Sequence, residues 1–142
     1  MKAEIHFEII SDNLILPKDF SRTKHAKWLK DVAIREQKEL KLLSYAFCDD
    51  AFLLDLNQEY LKHDTLTDII TFPYNTNPIE AEIYISFDRV KENAIAYSQG
   101  NTLQELQRVL VHGLLHMCGY DDHDHQRKQE MRAKEAFYLD LL

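Results

Sequence analysis

Ile5, Phe7 and Ile9 alternate with polar neighbours, the period-two pattern of a strand with one buried face. Pro17 and Ser21 then open a stretch with helical spacing. Trp28, Leu29, Val32 and Ala33 recur on one face, which predicts a helix running to about residue 37. Residues 42–48 return to strand character. Asp49-Asp50 starts a second helix through Phe52, Leu53, Leu56 and Tyr60. Residues 67–72 are rich in β-branched side chains and stop at Pro73, and Tyr74 to Pro78 reads as a turn, so residues 79–87 should come back antiparallel. Asp88 opens a helix to about Ser98, which Gln99-Gly100-Asn101 breaks. Thr102, with Glu105 three residues on, is placed to cap the next helix, where Leu103, Leu106, Val109, Leu110, Leu114, Leu115 and Met117 leave little polar circumference. That helix should be largely buried. A last helix is expected from about residue 125 to 141. The order predicts an α+β fold, a small mixed sheet with packed helices.

Composition narrows this to one domain. At 142 residues and 45% hydrophobic content the chain suits a single core over residues 1–142. No apolar run approaches a membrane span, and Met1-Lys2-Ala3-Glu4-Ile5-His6 lacks the apolar stretch of a signal peptide, so a cytoplasmic location is the expectation. Cys48 and Cys118 lie far apart without a C-x-x-C pattern and read as buried small hydrophobes in a reducing compartment. The net charge of −7 argues against a strongly basic nucleic-acid binder. A local patch remains open at Arg22, Lys24, His25, Lys27 and Lys30 around Trp28, although a solvated helix face explains it as well.

Candidate chemistry concentrates in one segment. Four of the seven histidines, His112, His116, His123 and His125, fall between Val111 and His125. His112 and His116 are four apart on the buried helix, so their imidazoles can converge on one ion. Gly119 offers a left-handed helix stop, after which the chain turns back with Asp122, His123 and His125 in reach of the same ion. The spacing H-x-x-x-H-x-x-G-x-x-D fits a zincin-like metal-bearing helix. Three protein ligands with one position open is the catalytic zinc pattern, in which a bound water becomes acidic near neutral pH. Zinc peptidases of this layout carry a glutamate base after the first histidine, and here that residue is Gly113. A mid-helix glycine costs about 1 kcal/mol relative to alanine, which implies a close approach to the backbone there. Cys118, two residues from His116, should face away from the ion.

His112-Gly113-x-Leu115-His116-x-x-Gly119-Tyr120-Asp121 resembles the signature of the YbeY family, bacterial single-strand-specific metalloendoribonucleases that mature the 3′ end of small-subunit ribosomal RNA and act in ribosome quality control. Leu56-Asn57-x-x-Tyr60, Leu66 to Pro73, and Glu82-Ile83-x-Ile85-Ser86 are similar to that family's other blocks, in the same order. The resemblance spans essentially the whole chain. It implies a hydrolytic zinc, one per chain, single-stranded ribosomal RNA and the small ribosomal subunit as partners, and no membrane. Two departures stand out. Where the family usually has a third histidine, ten residues after the first, this chain has Asp122, with His123 one step later; retained register makes Asp122 the third ligand, and a one-residue slip makes it His123. Where the family commonly has an arginine, this chain has Leu61, with Lys62 and His63 as possible replacements. His63, Lys62, Asp121 and Asp124 are the candidates for proton transfer or phosphate orientation. The reading is a zinc-dependent endoribonuclease. A zinc-stabilised ribosome-associated binding factor without turnover is the alternative, and a metallopeptidase comes third because of Gly113.

Overall fold

A computed structural model describes residues 2–61 and 67–142. Four strands form one mixed sheet: β1 (Glu4–Ile9), β2 (Leu40–Cys48), β3 (Ile69–Thr76) and β4 (Ile79–Ser86), in the spatial order β1-β2-β4-β3. β1 and β2 are parallel, as are β2 and β4, while β3 runs antiparallel to β4. Parallel neighbours need long crossovers. The first is α1 (Arg22–Arg35), and the second contains α2 (Asp50–Leu56), a π-type helical turn over Asn57–Leu61, and β3 itself. Three further helices follow, α3 (Phe87–Tyr97), α4 (Thr102–Met117) and α5 (His125–Leu139).

Alternation along the strands divides the sheet into two unequal faces. Leu43, Tyr45 and Phe47 of β2 and Ile79, Ala81, Ile83 and Ile85 of β4 point into the main core, which also takes Trp28, Leu29 and Val32 from α1 and most of α4. The opposite face holds a small cluster in which Leu53 of α2 covers Cys48 and Ile70. Buried polar groups in the main core find partners. The Tyr45 hydroxyl donates to the Leu110 carbonyl at 2.7 Å, and Trp28 Nε1 donates to the Tyr138 carbonyl at 2.9 Å, which fixes α4 to the sheet and α5 to α1.

α4 packs tightly against the sheet at Gly113. A Cβ there would sit 3.0 Å from Ile83 Cδ1 and 3.1 Å from Ile69 Cδ1, so the missing side chain is what lets the helix backbone meet β4 and β3. That is the close approach the sequence implied. Both cysteines are buried, and burial pushes each thiol up to about 12, in keeping with their reading as small core hydrophobes.

Several boundaries differ from the sequence-based expectation. Asn101, not Thr102, caps α4, its side chain accepting from the Gln104 N–H at 3.0 Å. Asn and Thr are both competent caps, and nothing local ranks two adjacent ones. Ser86 caps α3, so that helix takes in Phe87 rather than starting at Asp88. β3 continues through Pro73 to Thr76 and shortens the turn. An edge strand tolerates a proline, and the pairing register shifts between Pro73 and Asn75. Among the described residues no helix is long and apolar enough to cross a membrane.

Candidate metal centre

The end of α4 has the geometry that a glycine stop dictates. Gly119 adopts φ +107, its N–H bonds to the His116 carbonyl at 3.1 Å, and the Tyr120 N–H bonds to the Leu115 carbonyl at 3.1 Å. These paired bonds form a Schellman motif, which ends the helix at Met117, one residue past His116, and reverses the chain. The reversal brings Asp122 back over the histidines. His112, His116 and Asp122 each offer a ligand atom, and these atoms all lie within 4.8 Å of one another. The two histidine Nε2 atoms are 3.0 Å apart, and Asp122 Oδ2 is 3.9 Å from His112 Nε2. Donors around a tetrahedral zinc are separated by roughly 3.3 Å, given bonds of about 2.0–2.1 Å, so this set fits such an ion without rearranging the backbone.

The other edge of the His112 ring is also engaged. His112 Nδ1 lies 2.6 Å from Glu135 Oε2 on α5, a carboxylate that is only 2% exposed. With Nδ1–H donating to that carboxylate, the Nε2 lone pair is directed at the other ligands. Glu135 in turn pairs with Arg108 at 3.3 Å, and Arg108 pairs with the fully buried Glu105, one turn before it on α4. Burial and then the neighbouring His112 ring hold the His116 pKa below the usual imidazole value, against a raising contribution from the Tyr120 carbonyl, to which the ring N–H donates. A neutral imidazole is the form that binds metal.

The remaining sequence candidates fall elsewhere. His123 and His125, left open as alternatives beyond the glycine turn, do not join the cluster: the His123 side chain is 76% exposed and 3.8 Å from Asp121, and His125 is the exposed first residue of α5. Asp124 caps α5, accepting from the Arg127 N–H at 2.8 Å. Asp121 accepts from the His123 N–H at 3.2 Å and pairs with Arg127, and these two contacts hold its carboxyl below the usual range. Both acids therefore shape the α4–α5 turn. Lys62 and His63 lie outside the described residues. The basic stretch on α1 loses His25 to the interior, where it stacks on Phe20.

Sequence reading missed Glu135, Arg108 and Glu105. A signal existed for Glu135, which sits four residues after Met131 and three before Tyr138, in the stripe that α5 buries. Glu105, Arg108 and His112 likewise follow one another along one face of α4. Beside His112 and Asp122 a cleft of about 260 Å³ opens, floored by Met131 and bounded by Asp68, Arg108, Lys128 and Arg132.

Comparison with known proteins points the same way. The family model for endoribonuclease YbeY matches residues 11–142. The chain is similar to the endoribonuclease YbeY of Flavobacterium psychrophilum, 42% identical over 139 residues that cover 97% of this chain and 91% of the relative. It is equally similar to that of Amoebophilus asiaticus, 42% identical over 140 residues covering 97% and 92%. A solution structure from Thermotoga maritima superposes with a TM-score of 0.64 at 25% identity, over 96% of this chain and 87% of that one. With its sequence matched almost end to end and two histidines and an aspartate converging behind the glycine turn, the chain belongs to the endoribonuclease YbeY family.

Proposed function

We infer that the protein is a metal-dependent endoribonuclease that cuts single-stranded ribosomal RNA, using one zinc ion per chain, and that it works on the small ribosomal subunit in the cytoplasm. The observation that carries this reading is the convergence of His112, His116 and Asp122 on one point at the edge of an open cleft, with Glu135 anchoring the first histidine from behind. Two imidazoles and one carboxylate suit zinc, and three protein donors leave a fourth position for solvent or substrate. When bound, such an ion would supply a Lewis acid for a phosphoryl oxygen and lower the pKa of a water, so that its oxygen could attack the phosphorus near neutral pH.

The chain's own residues do the rest. Glu135 fixes the His112 tautomer, and Arg108 holds the Glu135 side chain in place by pairing with it. Met131 is buried at the cleft floor and excludes water from the back of the site. Asp122, with a side chain 45% exposed, leaves the front accessible to a polymer. A peptidase would need a glutamate where Gly113 stands, and Ile83 and Ile69 occupy the space its side chain would take. In phosphodiester hydrolysis the alkoxide leaving group can take its proton from a water and the attacking water can give one up to solvent, so a carboxylate at that position is not required.

Cleavage of a single-stranded fragment of small-subunit ribosomal RNA tests the reading. Metal-free protein should be inactive, zinc should restore the wild type, and His116→Ala should stay inactive with zinc added. Cleavage by His116→Ala, or no turnover by zinc-loaded wild type, would overturn it, the second result favouring a binding factor.

A further inference from the structure

We propose that Lys128 and Arg132, on the exposed side of α5, are the phosphate anchors that seat the RNA strand beside the metal centre. This rests on the endoribonuclease reading and adds the residues that hold the substrate. Lys128, Met131, Arg132 and Glu135 follow one another at i, i+3, i+4 and i+7, so they share one face of α5. Two of the four define where that face points: Met131 is buried under the cleft and Glu135 reaches His112. Lys128 and Arg132 therefore stand on the rim of the cleft that contains His112 and Asp122. Arg132 also borders a second cleft of about 510 Å³, which shares Asp68 and Arg108 with the first and runs on past Asn93 to Tyr97. The two clefts make one path leading away from the metal donors. At its far end the Tyr97 ring is 76% exposed, a surface on which a base can stack.

Charge pairing selects these two residues from the cations along the path. Arg108 is neutralised by Glu105 and Glu135, and Arg89 by Asp50 at 3.1 Å. Arg127, one residue before Lys128, is held by Asp121 and Asp124. Lys128 and Arg132 are exposed, and their side chains have no hydrogen-bond or ion-pair partner among the described residues. Residues i and i+4 on a helix stand about 6 Å apart, a reach suited to neighbouring phosphates of an extended strand. On a chain of net charge −7 the general field repels RNA, so uncompensated cations next to the donors decide where a strand can lie.

The test compares zinc-loaded wild type with the double variant Lys128→Ala/Arg132→Ala and with Lys24→Ala/Lys27→Ala, which removes two exposed cations of α1. Binding of a fluorescent single-stranded 2′-O-methyl oligoribonucleotide is followed by anisotropy over a range of salt, with kcat and KM for cleavage of the unmodified RNA. The α5 variant should bind about tenfold or more weakly. Its log–log salt slope should be shallower by about 1.4, two contacts at about 0.7 each. KM should rise with kcat little changed, and zinc content should match the wild type. The α1 variant should bind as the wild type does. Unchanged affinity and slope in the α5 variant, or an equal loss in the α1 variant, would overturn the assignment while leaving the endoribonuclease reading intact if the wild type still cuts RNA. A zinc-loaded wild type that neither binds nor cuts RNA would overturn both.

Discussion

His112 is gripped from two sides, by Glu135 at Nδ1 and by the cluster at Nε2, and that double engagement generates the sharpest predictions for single residues. Glu135→Ala should lower zinc affinity by about 10–100-fold, the usual effect of removing a carboxylate behind a histidine ligand. Glu135→Gln should lose less, since its carbonyl can still accept from Nδ1–H. A chelator competition titration reads both variants, and equal affinity in all three proteins would deny Glu135 this role. Asp122→Ala should weaken zinc binding far more than His123→Ala, because only the former removes an atom from the cluster. His25 makes a prediction independent of metal. Burial holds its pKa below the ordinary 6.5, against a raising contribution from the Ser21 carbonyl. The unfolded chain therefore takes up the proton first, so this part of the stability is complete above pH of about 6.5 and is lost as the pH falls from there through the lowered folded value. Urea melts of metal-free protein between pH 5 and 8 should show this decline, and His25→Gln should make it shallower, the remainder coming from His116.

At the scale of elements, α4 and its glycine stop decide the site. Gly119→Ala should cost about 1–2 kcal/mol, because a φ of +107 strains any residue with a Cβ, and it should also weaken zinc binding by displacing Asp122. Thermal melts with and without zinc would check both effects. The histidine pair and the glycine stop were legible in the sequence because helix spacing and backbone handedness are local properties. The choice among Asp122, His123 and His125 was left open by the residues themselves, since it depends on how the chain leaves the turn. That exit is set by Asp124 capping α5 and by Asp121 bonding to the His123 N–H, two side-chain contacts that pattern reading does not resolve. Pro73 shows the same limit. A proline ends a strand in general, yet β3 lies at the sheet edge and carries it through.

For the whole molecule, the α+β arrangement and the burial of α4 followed from hydrophobic period, because each element exposes its buried face in its own sequence. What did not follow was pairing between distant elements. Glu135 meets a histidine 23 residues away and Arg108 meets Glu135 across 27, so neither contact leaves a mark in any local window. The same distance hid the α5 rim, while the basic stretch on α1 drew attention by being contiguous. The claim on which the rest depends is that one ion sits among His112, His116 and Asp122. Anomalous diffraction at the zinc edge from crystals of the zinc-loaded protein measures it directly. The expected result is a single strong peak bonded to the two Nε2 atoms and to an Asp122 oxygen, with a fourth position facing the cleft of Lys128 and Arg132. A peak at His123 or Cys118, or four protein ligands closing the site, would contradict it.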